Sequence, residues 1–90
     1  MHYHFMPRGV CARGIDFDLS DEGKISNLAF RGGCAGNLQA IGKLLEGADA
    51  EETIKILAGN TCGPRLTSCA DQLSIALRAA LDGELQPVEA

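Results

Sequence analysis

Ninety residues make one small domain without room for a second core, and such a chain buries only roughly 60–65% of its unfolded surface. The composition, 46% apolar and 22% charged, excludes a generally disordered chain, and the scarcity of aromatics (one Tyr, three Phe, no Trp) leaves Leu, Ile and Ala to build the core. A net charge of −4 with scattered basic residues excludes nucleic acid as the expected partner.

In chain order, His2, Tyr3, His4 and Phe5 alternate polar with apolar before Pro7 and Gly9 break the pattern. The stretch 14–19 predicts a strand: Ile15, Phe17 and Leu19 share one face, while Asp16 and Asp18 are expected to point to water. Residues 20–24 carry turn chemistry around Gly23, and 25–30 return as a second strand with Leu28 and Phe30 inward. This hairpin is extended by residues 2–6 into three strands. After Gly32-Gly33-Cys34 the period changes to about 3.6. Leu38, Ile41, Leu44 and Leu45 form an expected apolar stripe ending at Gly47. Asp49 with Glu52 resembles a capping pair for a short helix carrying Ile54, Ile56 and Leu57, stopped by Gly59 and Asn60. Residues 62–65 read as a loop. The last helix is expected to open at Thr67-Ser68, with Asp71 as an acidic capping partner and Leu73, Ala76, Leu77, Ala80 and Leu81 on its apolar face. Gly83 ends it, and the expected division is a domain over 1–85 with a tail over 86–90. Strands first and helices after predict an α+β fold, a small antiparallel sheet with three helices packed on one face.

No apolar run is long enough to span a bilayer, and the start does not read as a signal peptide, so a cytoplasmic protein is expected. In a reducing compartment the four cysteines need explaining. Cys11, Cys34, Cys62 and Cys69 are separated by 22, 27 and 6 residues, and none forms a CxxC pair. All four fall in loops or at element ends, where a scaffold presents function, and Cys34 and Cys69 stand at expected helix starts. Free N–H groups and the positive end of a helix dipole favour thiolate there. Buried free cysteines, a structural zinc site and a working metal, cluster or thiol site all remain open. Asp16 with Asp18 reads as a solvated strand face rather than a carboxylate pair, and His2 with His4 as an exposed polar face rather than a metal pair. Familiar catalytic motifs (phosphate-binding loop, nucleophile elbow, HExxH) are missing, and the chain carries no recognised catalytic machinery of its own.

Thr67-Ser68-Cys69-Ala70-Asp71 resembles the signature pentapeptide of the TSCPD domain family, with Ala70 in place of its proline. Alanine is a good helix former, so the helix should survive the exchange. The likeness extends to Gly9-Val10-Cys11, Gly32-Gly33-Cys34 with Gly36-Asn37-Leu38, and Cys62-Gly63. It implies a four-cysteine domain like those found alone or at the C-terminus of cobalamin-dependent ribonucleotide reductases.

A more distant order of elements is similar to iron–sulfur scaffolds of the IscU/NifU type. A cysteine precedes a hairpin, Phe30-Arg31-Gly32-Gly33-Cys34 follows it, and a third cysteine opens the last helix. The scaffold's Asp beside its first cysteine has no match in Cys11-Ala12-Arg13-Gly14, and its His before the third is Ser68 here. This likeness implies an IscU/SufE-like fold with Cys11, Cys34, Cys62 and Cys69 at one site for zinc or an iron–sulfur cluster. The partners that the two likenesses imply are a ribonucleotide reductase, from the TSCPD family, or a cluster-transfer protein, from the scaffolds. Arg13, Arg31 and Arg65 each lie within three residues of a cysteine and would offset the thiolate charge. The alternatives are a structural zinc domain, or a thiol–disulfide accessory of ribonucleotide reduction with Cys62 and Cys69 exchanging.

Overall fold

A computed structural model describes residues 1–8, 10, 12–32, 35–59 and 69–88, with the side chains of 35–37 left aside. Strands β1 (His2–Phe5), β2 (Ala12–Leu19) and β3 (Ile25–Gly32) precede helices α1 (Ala35–Leu45), α2 (Ala50–Leu57) and α3 (Cys69–Leu81). The sheet is antiparallel in the order β1-β2-β3. This is the α+β arrangement expected from the change of period along the chain.

Period-two alternation puts Ile15, Phe17 and Leu19 on one sheet face, and all three are buried. Leu73, Ala76, Leu77 and Ala80 of α3 and Ile54 and Ala50 of α2 complete the same core. Tyr3 stacks on Phe17 with ring centroids 5.4 Å apart, the aromatic cross-strand contact that ties β1 to the sheet. Helix α2 begins as its sequence demands: the Asp49 carboxylate accepts from the Glu52 N–H at 3.1 Å. Residues 47–50 then continue the sheet edge locally. Ile25 N donates to Ala48 O at 2.8 Å, and Ala50 N to Gly23 O at 2.8 Å.

Helix α1 lies against β3 with Leu38 buried and Ile41 and Leu45 packed on the core's margin. Gly42 makes this approach possible, because a Cβ there would stand 2.8 Å from the Leu28 carbonyl oxygen. Leu44, placed on the apolar stripe from sequence, is instead 80% exposed. Six residues after Leu38 it lies about 120° round the helix, off the face that meets β3.

The register carries a bulge. Asp16 pairs with Ala29 but Asp18 with Ser26, so β3 holds one extra residue, and Asn27 adopts φ +52° there. Asparagine tolerates that conformation better than most side chains. At the other terminus, Val88 N donates to His2 O at 2.7 Å, so the segment after α3 returns to β1. Strand β2 begins earlier than expected (Ala12) and β3 ends later (Gly32), while β1 stops at Phe5, and the opening Thr67-Ser68, the loop 62–65 and Asn60 lie outside the described residues. Among the described residues no helix is long and apolar enough to cross a membrane.

Candidate functional site

Cys69 is the first residue of α3, half-buried, with a free thiol. Cys11, Cys34 and Cys62 lie outside the described residues. The residues next to them in the chain are described. Ala12, which follows Cys11, pairs with Gly32, two residues before Cys34. Because β1 runs antiparallel to β2, the chain leaves β1 at the same end of the sheet where β2 begins. There the Arg8 backbone N–H donates to Gln72 Oε1 at 3.0 Å, and Gln72 belongs to the opening of α3, three residues after Cys69. Arg8, Ala12, Gly32 and the start of α3 therefore share one pole of the molecule. Asp71 Oδ1 accepts from the Gly59 N–H at 2.7 Å, tying the end of α2 to the start of α3, while its expected capping partner Ser68 lies outside the described residues.

Beside this pole a groove of ≈ 730 Å³ runs between β3 and α1. Leu28, Phe30 and Leu38 supply its apolar lining, and Lys43 and Glu46 its charged rim. Glu46 is engaged, its Oε1 accepting from the Asn27 N–H at 3.0 Å.

The outer sheet face holds a polar ladder in which His2 and His4 stay exposed to water as expected, whereas Asp16 does not. The register sets His2 opposite Asp18 and His4 opposite Asp16. His4 Nδ1 lies 2.5 Å from Asp16 Oδ1, and Arg31 Nε donates to Asp16 Oδ2 at 2.9 Å. His2 Nδ1 lies 2.5 Å from Asp18 Oδ1, while Asn27 Nδ2 donates to Asp18 Oδ2 at 2.8 Å. Asp16 was expected to face water but is only 8% exposed, because β1 and the Arg31 side chain cover it. Burial pushes the Asp16 carboxyl up, but hydrogen bonds and charge from His4 and Arg31 outweigh it and hold the group below its usual value. Asp18 is also held low, first by the Asn27 hydrogen bond and then by His2. The sequence signal for this ladder was present: His2-x-His4 and Asp16-x-Asp18 share a period and complement one another across neighbouring strands. The missing step was the register.

Among the described residues no three His, Cys, Asp or Glu side chains gather as metal ligands. No curated protein and no solved structure matches the chain. The family model of the TSCPD domain matches residues 1–81, taking in all three strands and all three helices, and the chain belongs to the TSCPD domain family.

Proposed function

We propose that Cys11, Cys34, Cys62 and Cys69 form one thiolate site for zinc or an iron–sulfur cluster, in a cytoplasmic domain accessory to ribonucleotide reduction. The observation that carries this reading is the Arg8–Gln72 hydrogen bond taken with the Ala12–Gly32 pairing. It brings the chain neighbours of Cys11 and Cys34 to the pole where Cys69 opens α3. The donor set fits either group: four thiolates close a tetrahedral zinc site, and the same four hold a [2Fe–2S] core. The site belongs to a single domain over residues 1–85, and its partner is a ribonucleotide reductase or a cluster-transfer protein.

Anaerobic purification followed by metal and sulfide analysis and a visible spectrum tests the reading. Stoichiometric zinc, or iron with sulfide and charge-transfer absorption, is expected, and Cys69→Ser should remove it. Metal-free protein in which Cys62 and Cys69 interconvert between thiol and disulfide would replace this reading with a thiol-exchange accessory.

A further inference from the structure

We infer that Asp71 and Gln72, neighbours in the first turn of α3, are positioning residues for the cysteines. Each holds a backbone N–H that lies three residues ahead of one of them. Gln72 Oε1 accepts from the Arg8 N–H at 3.0 Å, three residues before Cys11. Asp71 Oδ1 accepts from the Gly59 N–H at 2.7 Å, three residues before Cys62. Cys69 opens the same turn. The role presupposes that the four cysteines share one site.

Both side chains reach away from their own helix to the segment they hold. Gln72 is only 8% exposed, on a helix whose buried face is built mainly from Ala70, Leu73, Ala76 and Leu77. A buried amide costs stability unless its polar atoms find partners, and its oxygen finds one on the segment that leaves β1 for Cys11. Asp71 brings a charged acceptor to the segment that leaves α2 for Cys62, which makes the stronger kind of hydrogen bond. Three residues of chain span at most about 10–11 Å. Fixing Arg8 and Gly59 at the start of α3 therefore limits how far Cys11 and Cys62 can stray from the turn that carries Cys69. Thiolate sites tolerate little misplacement, and donors arriving on separate segments need supporting hydrogen bonds to meet.

The test is disulfide mapping of the full chain, stripped by chelator and held in an oxidising glutathione buffer. In that exchange two protein thiols are oxidised while one oxidised glutathione is reduced to two thiols. The parent chain should yield Cys11–Cys69 and Cys62–Cys69 pairs. Their ratio reports how each segment is held, because a general loosening lowers both together. Gln72→Met keeps the side chain's length and removes the acceptor, and it should cut Cys11–Cys69 relative to Cys62–Cys69 about fivefold, the net worth of one hydrogen bond. Asp71→Ala should move the ratio the other way, and further, because its acceptor is charged. Asp71→Asn keeps an oxygen in place and should restore most of the parent ratio. Amide hydrogen exchange should quicken at Arg8 but not Gly59 in Gln72→Met, and at Gly59 but not Arg8 in Asp71→Ala. Ratios and amides that stay unmoved, or that move alike in both variants, overturn the positioning role and leave the shared site standing. A parent chain that forms neither pair overturns both. Opposite shifts in a protein that never carries metal uphold the positioning role and remove the metal alone.

Discussion

His4 and Asp16 face one another across the β1–β2 pairing with Nδ1 and Oδ1 2.5 Å apart, and this contact turns a nominally solvent-facing strand position into a buried carboxylate. Asp16 also takes the Arg31 Nε–H at 2.9 Å, so one side chain joins all three strands. Removing it takes the acceptor from His4 and Arg31, whose side chains are 38% and 71% exposed and can turn to water. Asp16→Ala should cost about 0.5–1.5 kcal/mol in urea unfolding, the net worth of a hydrogen bond whose partners can find water. Asp18→Ala, on a more open part of the same face, should cost less. Equal and negligible losses would show that the ladder contributes nothing.

Acid should weaken the fold through the same groups. Both Asp16 and Asp18 have folded-state values lowered from 3.8, so their ionised forms are favoured in the native state. Their contribution is complete above the unfolded-state value and is lost as pH falls below it and through the lowered folded values. Melting temperature should therefore be flat with respect to these two groups above about pH 5 and fall below about pH 4. In the double variant Asp16→Asn, Asp18→Asn that acid limb should flatten, and an unchanged limb would place the acid-sensitive groups elsewhere.

Gly42→Ala sets two effects against one another. Alanine gains about 1 kcal/mol of helix propensity over glycine, yet its Cβ would press to 2.8 Å on the Leu28 carbonyl oxygen, a backbone atom that cannot swing aside. The contact should win, with a net loss of about 1–3 kcal/mol from forced separation of α1 and β3. Gln39→Ala, at an exposed position of the same helix, should change stability little. A higher melting temperature for Gly42→Ala would contradict the close approach.

Leu77→Ala and Leu44→Ala separate the true core from the apparent one. Leu77 is fully buried, and its truncation should cost about 2–5 kcal/mol, a large share of the ~5–15 kcal/mol usual for a domain. Leu44 is 80% exposed, and its truncation should stay within about 0.5 kcal/mol. Similar losses at both sites would mean that Leu44 packs against something.

How far the chain declares its own fold depends on the range of the interaction. The alternation of Ile15, Phe17 and Leu19 and the Asp49–Glu52 cap are local, and both are found where the pattern predicts them. The Asn27 bulge, the Gly42 approach and the burial of Asp16 each arise where two distant segments meet, so no window of sequence contains them. Leu44 shows the remaining weakness: a run of apolar residues suggested a wider stripe than one neighbouring strand can cover. The proposed cysteine site rests on residue type and chain order, and what supports it among the described residues is the placement of Arg8, Ala12, Gly32 and Gln72 rather than the sulfurs themselves.

Stability after metal removal separates a working site from a structural one. The apolar faces of residues 38–45 and 73–81 already pack against the sheet, so chelator-treated protein should keep a cooperative melt, lowered by the binding contribution of about 4 kcal/mol at a thousandfold excess of ligand over Kd. Complete loss of the transition on chelation would make the metal a structural staple.

X-ray absorption at the edge of the copurifying metal tests the central claim most directly. One site built from Cys11, Cys34, Cys62 and Cys69 predicts a first shell of sulfur alone, four sulfurs at about 2.3 Å if the metal is zinc. If the metal is iron, sulfur should again fill its first shell. Nitrogen or oxygen in place of any of the four, or protein that never carries metal, would contradict it.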